Sequence, residues 1–346
     1  MASQATARQS QTMRAVVCDK TGPVNVLHLR DIPIPSPGEG QVLLQVLGFG
    51  INRAEMYTRQ GHSPGVTFPR ILGIECIGTV VAYHDTASQR TIKYPLGTRV
   101  ATCMGGLGRQ IPGSYAQYTC VAEANMRPIP PTNLPISVLA ALPEMLQTTW
   151  GSLVQGLDLK AGQSLLIRGA TSSIGLCAIQ LARRLGASRI AATTRSLDRE
   201  QMLRDAGADE VLIDDGKIAD QILMSSGSKG PFNVVLELVG ATTVRDSLKC
   251  VVPKGTVCVS GMQSGEWIVD DLDLFMDLPN RARLCVYGGG PEDFMMMPFE
   301  ALIRDVEAGR VKIPVKTFQL DEIQKVHEIL EAGGGGAKMA VVVDEA

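Results

Sequence analysis

Apolar residues recur along the chain in two rhythms. From Arg14 to about Leu134 they form short β-rich pieces punctuated by Pro and Gly: Ala15-Val16-Val17, Val42 to Val46, Gly78 to Val81, Arg99-Val100-Ala101 and Tyr115 to Tyr118. Closely spaced short strands of this kind predict a small, barrel-like β domain. From Leu139 onward the strands are near-continuous apolar runs: Leu165 to Ile167, Arg189 to Thr193, Glu210 to Ile213, Asn233 to Val239, Thr256 to Ser260 and Arg283 to Tyr287. Such runs predict a parallel sheet covered on both faces, hence a doubly wound α/β domain. Between the first two runs, Ile174, Cys177, Ala178, Leu181, Ala182 and Leu185 repeat at helical spacing. Further on, Phe299 to Val306 and Leu320 to Leu330 read as helices, and Val311 to Phe318 and Met339 to Val343 as strands. This tail is expected to return to the β domain and make it discontinuous. The predicted division is a disordered lead over 1–12, a β-rich domain over 13–138, the doubly wound domain over 139–289 and the return segment over 290–346.

Composition narrows the partners. A chain of 346 residues suits two domains. A net charge of −2 offers no basic patch for nucleic acid. No unbroken apolar run is long enough to span a membrane. The lead is rich in Ser, Gln, Thr and Ala and lacks the apolar core of a secretory signal. The eight cysteines are scattered, with no CxxC pair, and read as buried small hydrophobes in a reducing compartment. A cytoplasmic location is expected.

The chemistry starts at Gly169 to Gly175, GATSSIG, which follows an apolar strand and opens the helical repeat. In that setting free backbone N–H groups of the first helical turn can face an anion. Ala170, Thr171, Ser172, Ser173, Ile174 and Gly175 are therefore candidate pyrophosphate contacts, small side chains admitting the phosphates and Gly175 permitting close helix-to-strand packing. The same string also fits a strand, turn and helix without any ligand. The next strand bears on the cofactor. NAD-binding turns place an acid about 20 residues on for the ribose 2′-OH, yet none occurs from Leu176 to Leu197. Thr194-Arg195-Ser196 and Arg199 stand there instead. Hydroxyl donors and guanidinium groups suit a 2′-phosphate, which predicts NADPH.

Several longer strings, GFGINRAEMYTRQG at 48–61, ILGIECIGTV at 71–80, GSYAQYTCV at 113–121 and ALPEMLQTTWGSL at 141–153, complete a pattern. It resembles the medium-chain dehydrogenase/reductase superfamily, and within it the zinc-free quinone oxidoreductase or enoyl reductase-like branch. The resemblance runs from Met13 to Val343. It implies a Rossmann cofactor domain, a discontinuous GroES-like catalytic domain and a homodimer formed through the edge strand at Arg283 to Tyr287. At the positions of the family's catalytic zinc ligands stand Asn52, Ile74 with Glu75, and the segment around Thr148. The lobe that binds structural zinc is reduced to Cys103 between Thr98 and Gly113. Neither set assembles the three or four ligands that zinc requires, so no metal is expected.

Without zinc, alcohol oxidation lacks its electrophile. Hydride transfer to a quinone or an α,β-unsaturated carbonyl asks less, because the charge delocalises onto an oxygen that hydrogen bonds can hold. A YxxxK pair is absent at all six tyrosines. By the resemblance Asn52, which can hydrogen-bond a substrate oxygen or the nicotinamide ribose, Tyr57 in the same loop, and Thr148 near the nicotinamide are the candidate catalytic residues. Glu55 and Glu75 are expected to be structural, and His62 to be an ordinary surface histidine. Gly288 to Pro291 and Met295 to Met297 resemble the segment beside the nicotinamide, although core filling explains the methionines equally. Gly333 to Gly336 reads as a flexible turn. Two functions follow: an NADPH-dependent reductase of quinones or conjugated carbonyls, which could serve as an enoyl reductase in a biosynthetic pathway, or an NADPH-binding protein without efficient turnover.

Overall fold

A computed structural model describes residues 12–84, 93–224, 229–334 and 336–343. The expected lead therefore lies outside the described residues, apart from Thr12, which already belongs to a strand. The chain divides into two units, one of Met1–Glu144 with Val315–Gly334 and Met339–Ala346, the other of Met145–Pro314 with Gly335–Lys338.

The first unit is β-rich. Its strands are β1 (Thr12–Cys18), β2 (Leu27–Pro33), β3 (Gln41–Gly50), β4 (Arg70–Ile71), β5 (Glu75–Tyr83), β6 (Arg99–Cys103), β7 (Tyr118–Ala122) and β8 (Met126–Pro128). Two sheets form among the described residues. One has the order β2-β1-β4, and β7 pairs with β3 in the other. Its helices are α1 (Arg53–Gln60), α2 (Ile136–Ala140) and the start of α3 (Pro143–Gly151). α2 lies close on β3, where a Cβ at Gly48 would sit 3.0 Å from Ala140 Cβ.

The second unit carries β9 (Ser164–Arg168), β10 (Arg189–Thr194), β11 (Glu210–Ile213), β12 (Phe232–Glu237), β13 (Val251–Val259) and β14 (Arg283–Val286). They form a parallel sheet in the order β11-β10-β9-β12-β13-β14. The order reverses between β9 and β12, which opens a crevice at their carboxyl ends. Its helices are α4 (Ser173–Arg184), α5 (Glu200–Asp205), α6 (Ala219–Met224), α7 (Val244–Lys249), α8 (Leu274–Asp277), α9 (Pro291–Met296) and α10 (Phe299–Glu307). Leu166, Ala191, Val235 and Val257, from four neighbouring strands, are fully buried with Phe232 and Leu248 in one core, as a sheet covered on its faces requires.

The chain re-enters the first unit with β15 (Val315–Gln319), α11 (Ile323–Glu331) and β16 (Lys338–Val342), giving the larger sheet the order β15-β16-β3-β5-β6-β8. The boundaries thus fall later than 138/139 and 289/290. Ile136–Ala140 is held by β3. The stretch after Tyr287 is held to the cofactor-type unit by polar contacts. Gln147 Nε2 donates to Gly290 O, the Gln180 amide pairs with both backbone groups of Lys312, and Arg184 pairs with Asp305. Among the described residues no helix is long and apolar enough to cross a membrane.

Candidate functional site

In the second unit β9 runs into Gly169, which takes φ +77°, and the chain turns into α4. Gly169 N–H donates to Thr193 Oγ1 at 3.0 Å, tying the turn to β10. Ser172 is the N-cap. Its hydroxyl donates to Gly169 O (3.0 Å) and accepts from Gly175 N–H (3.1 Å), while Leu176 N–H donates to Ser172 O. The Ser172 side chain is thus folded into the turn and kept off the approach to it. Capping leaves the N–H groups of Ser173 and Ile174 pointing out of the helix end, where the dipole favours an anion. A Cβ on Gly175 would lie 2.5 Å from Ala170 Cα, so the helix can sit this close only with glycine there. Thr171 O accepts from Gly336 N–H at 3.1 Å. Gly335 lies outside the described residues, but the end of the Gly333 to Gly336 turn is docked on the phosphate-type loop.

At the end of β10, Arg195, Ser196 and Arg199 are exposed and Thr194 is buried. The Thr194 hydroxyl donates to Ser196 O, and the Ser196 hydroxyl donates to Asp198. Both shape the turn, so the positive charge beside the strand end comes from the two guanidinium groups.

A carboxylate does stand near this strand end, and the sequence reading missed it. Asp214, just past β11, accepts from Arg168 Nη2 and Gly216 N–H on Oδ1 (2.8 and 2.9 Å), and from Arg168 Nε and Thr193 Oγ1 on Oδ2 (2.8 and 3.1 Å). Four donors fill the capacity of a carboxylate. Burial pushes this acid up, but the Arg168 hydrogen bonds and charge outweigh burial and hold it below the ordinary carboxylate range. Arg168, fully buried, also donates to Asp246 (2.8 Å), Ser247 Oγ and Thr243 O. Next to it Glu237 accepts from Val239 N–H, Gly240 N–H and Ser247 Oγ, and burial raises its carboxyl. The only sequence cue to this cluster was a charged residue ending an apolar strand.

Thr148 lies half-buried on α3, its carbonyl accepting from Ser152 Oγ. Its neighbour Gln147 is fully buried, and Gln147 Oε1 has no partner. The three methionines diverge: Met295 is half-buried, Met296 exposed and Met297 buried.

The first unit gathers Asn52 and Tyr57. Both belong to helix α1, not to a loop: Asn52 is its N-cap and Tyr57 lies on a buried face. The N3 residue Glu55 accepts from the Asn52 backbone N–H at 2.9 Å, the reciprocal half of a capping box. Asn52 Nδ2 donates to Glu75 Oε1 (2.9 Å) and Glu55 Oε1 (3.3 Å). Glu55 also accepts from Ile74 N–H, and Glu75 from Glu144 N–H. Both acids are buried and act as acceptors that fix the amide of Asn52. His62 is exposed, its ring edge-on to Tyr57 at 6.0 Å. Below α1, the buried Arg59 donates to His327 Nδ1 (3.3 Å) and pairs with Glu331. His327 Nδ1 is thereby the acceptor, which leaves Nε2–H for Tyr115 Oη at 3.2 Å. Burial, then the Arg59 charge, push the His327 imidazole down to about 3. Among the described residues no three His, Cys, Asp or Glu are grouped to hold a metal ion.

The chain matches the alcohol dehydrogenase GroES-like domain over residues 38–131 and the zinc-binding dehydrogenase family over 173–298. It belongs to the medium-chain dehydrogenase/reductase superfamily, an oxidoreductase family, on its quinone oxidoreductase branch. It is 28% identical to the quinone oxidoreductase of Homo sapiens, covering 96% of this chain and 98% of that one. It is 27% identical to a 2-haloacrylate reductase of a Burkholderia species, covering 92% and 95%. In fold it is similar to the Escherichia coli quinone oxidoreductase complexed with NADPH, with a TM-score of 0.83 at 22% identity over 95% of this chain and 99% of that one.

Proposed function

We propose that this protein is an NADPH-dependent, zinc-independent reductase that delivers hydride to a quinone or to the β-carbon of an α,β-unsaturated carbonyl. The observation that carries the cofactor choice is the saturation of Asp214. Asp214, whose backbone N–H donates to Thr194 O at the end of β10, has its four acceptor positions taken, so it has none to give a ribose diol, while Arg195 and Arg199 supply charge for a 2′-phosphate. The turn fits the rest of a dinucleotide: the Ser173 and Ile174 N–H groups and the α4 dipole would hold the pyrophosphate, and Gly175 lets the helix approach. Ala170 and Thr171 would line the same turn. When bound, NADPH supplies the hydride.

Zinc independence is supported by the donor set. At the family's cysteine position Asn52 spends both amide hydrogens on carboxylates, an arrangement for orienting an amide. In this reading Asn52 Oδ1 accepts from a hydroxyl of substrate or cofactor, the Tyr57 phenol offers a donor or an apolar wall, and Thr148 contacts the nicotinamide end. The unpartnered Gln147 Oε1 favours a ligand amide N–H, since a buried acceptor left alone costs about 1–3 kcal/mol. The likeness to a 2-haloacrylate reductase supports C=C reduction beside quinone reduction, and a role as enoyl reductase in a biosynthetic pathway belongs to the same reading. Asn52 and Tyr57 belong to the GroES-like unit, and Thr148 and the cofactor contacts to the Rossmann unit.

We also propose a homodimer that pairs the β14 edges. Val286 on that edge strand is 77% exposed, and Phe275 and Met276 of α8 are 97% and 79% exposed, apolar side chains of the kind that partners cover. Eight free thiols suit a reducing, cytoplasmic setting. The test is oxidation of NADPH, with NADH in parallel, in chelator-treated buffer against an ortho-quinone, a simple enone, a 2-enoyl thioester and an aldehyde. Turnover of a quinone or activated alkene with NADPH preferred is expected. NADPH binding without turnover of any acceptor would replace this reading with that of a cofactor-binding protein.

A further inference from the structure

We propose that Cys258 and Cys285 form a thiol–disulfide site that closes under hydroperoxide. The two residues are direct cross-strand partners on the parallel strands β13 and β14, so their side chains leave the same face of the sheet. Neighbouring strands stand about 4.8 Å apart, inside the Cα separation of roughly 4.4–6.8 Å that a disulfide bridges. The sulfurs converge on one point. Cys285 Sγ lies 3.3 Å from Gly156 O, and Cys258 Sγ lies 2.5 Å from where a Gly156 Cβ would be. Glycine at 156 leaves room for both. Cys285 is half-buried, and its sulfur lies over the sheet face instead of along the hydrogen-bonding edge that the proposed dimer would use.

Cys285 also differs chemically from the thiols that burial pushes up. Burial pushes Cys18, Cys76, Cys120, Cys177 and Cys250 up. When Cys285 loses its proton, the Cys258 S–H donates to it and, with the Arg283 charge, holds it at about 7. The thiolate of Cys285 attacks hydrogen peroxide, the O–O bond breaks, and hydroxide leaves a sulfenic acid. Cys258 then attacks that sulfur, expelling water once the leaving oxygen is protonated. The two thiols lose two electrons and two protons, and one peroxide becomes two waters.

The experiment treats the folded protein with hydrogen peroxide, blocks remaining thiols with iodoacetamide and maps peptides by mass spectrometry. Expected is one linked peptide joining Cys258 to Cys285, about 2 Da lighter than its reduced parts and restored by dithiothreitol. In Cys258→Ser, Cys285 should instead be trapped by dimedone as the sulfenic acid, at least tenfold above wild type. A Cys285–Cys285 crosslink between copies, oxidation confined to other cysteines, or no reaction at either residue would overturn the proposal.

Discussion

Replacing Arg168 with Leu tests the charge cluster beneath the cofactor turn. The guanidinium is fully buried and donates to Asp214 twice and to Asp246 once, each at 2.8 Å. The substitution leaves two largely buried carboxylates without their cation, a situation that costs about 3–5 kcal/mol. That is a large share of the roughly 5–15 kcal/mol that holds a domain folded. Both tryptophans, Trp150 and Trp267, lie in the second unit, so urea unfolding read by tryptophan fluorescence reports on it. The loss should depend on pH in a defined direction. Asp214 is held below its unfolded value; its contribution is therefore complete above the unfolded pKa, about 3.9, and disappears as pH falls through the folded one. The penalty should be largest at neutral pH and shrink as pH falls, because in the variant burial without the Arg168 charge raises the Asp214 carboxyl and lets it protonate. Arg168→Leu with Asp214→Asn should recover part of the loss, because the pair is coupled. Affinity for NADPH should fall more than for NADH, since an unpaired Asp214 would repel a 2′-phosphate. A penalty under about 1 kcal/mol at pH 7, the size expected of an exposed pair, would refute the reasoning.

Other expectations follow from the same geometry. Arg195→Ala should weaken NADPH by about 1–3 kcal/mol and leave NADH unchanged, as fluorescence titration would show; an equal loss for both cofactors would sink the 2′-phosphate assignment. Gly175→Ala forces its methyl to within 2.5 Å of the Ala170 backbone, so a loss of about 1–3 kcal/mol in stability is expected with weaker binding of both dinucleotides; an unchanged melting temperature would contradict it. His327 is neutral when folded, with its imidazole pushed down from 6.5 to about 3, so its contribution is complete above 6.5 and is lost as pH falls toward 3, by at most about 1.4 kcal/mol per pH unit. His327→Gln should flatten that acid limb of the stability curve, and an unchanged slope would remove His327 as its cause.

The parallel sheet was legible because its strands are apolar on both faces, and β9 to β14 fall where the runs stand, to within a few residues. The helix α4 was legible from its apolar stripe. α1 was not. Its sequence RAEMYTRQ looks like a solvated loop, and Glu55 and Arg59 are buried only because Ile74, Glu75, His327 and Glu331, distant in sequence, satisfy or surround them. β7 was placed too early, at Tyr115, because that aromatic looks strand-like. Tyr115 instead stacks on Phe49 at 4.8 Å and bonds His327, and the regular pairing with β3 begins at Tyr118. Likewise, β15 starts only after Pro314. In the site, the turn could be read from spacing, but the partners that fill Asp214 could not. They come together only when β9, β10 and β11 are laid side by side.

The return of the chain to its first unit orders events during synthesis. On the flank of β3 opposite β5, β7 covers Gln41 to Gln45 and β16 covers Gly48 to Gly50, with Gly50 opposite Ala340, so that last stretch stays unpaired until nearly three hundred further residues have been made. At about 5–20 residues per second this takes roughly 15–60 s, while the Rossmann unit, almost wholly encoded in one stretch, can fold as it emerges. During that interval the Gly48 to Gly50 end of β3 presents unpaired backbone groups, the kind of edge that recruits a stray strand or a chaperone. The yield of active protein should therefore be more sensitive to translation speed and chaperone supply than the stability of the finished fold would indicate.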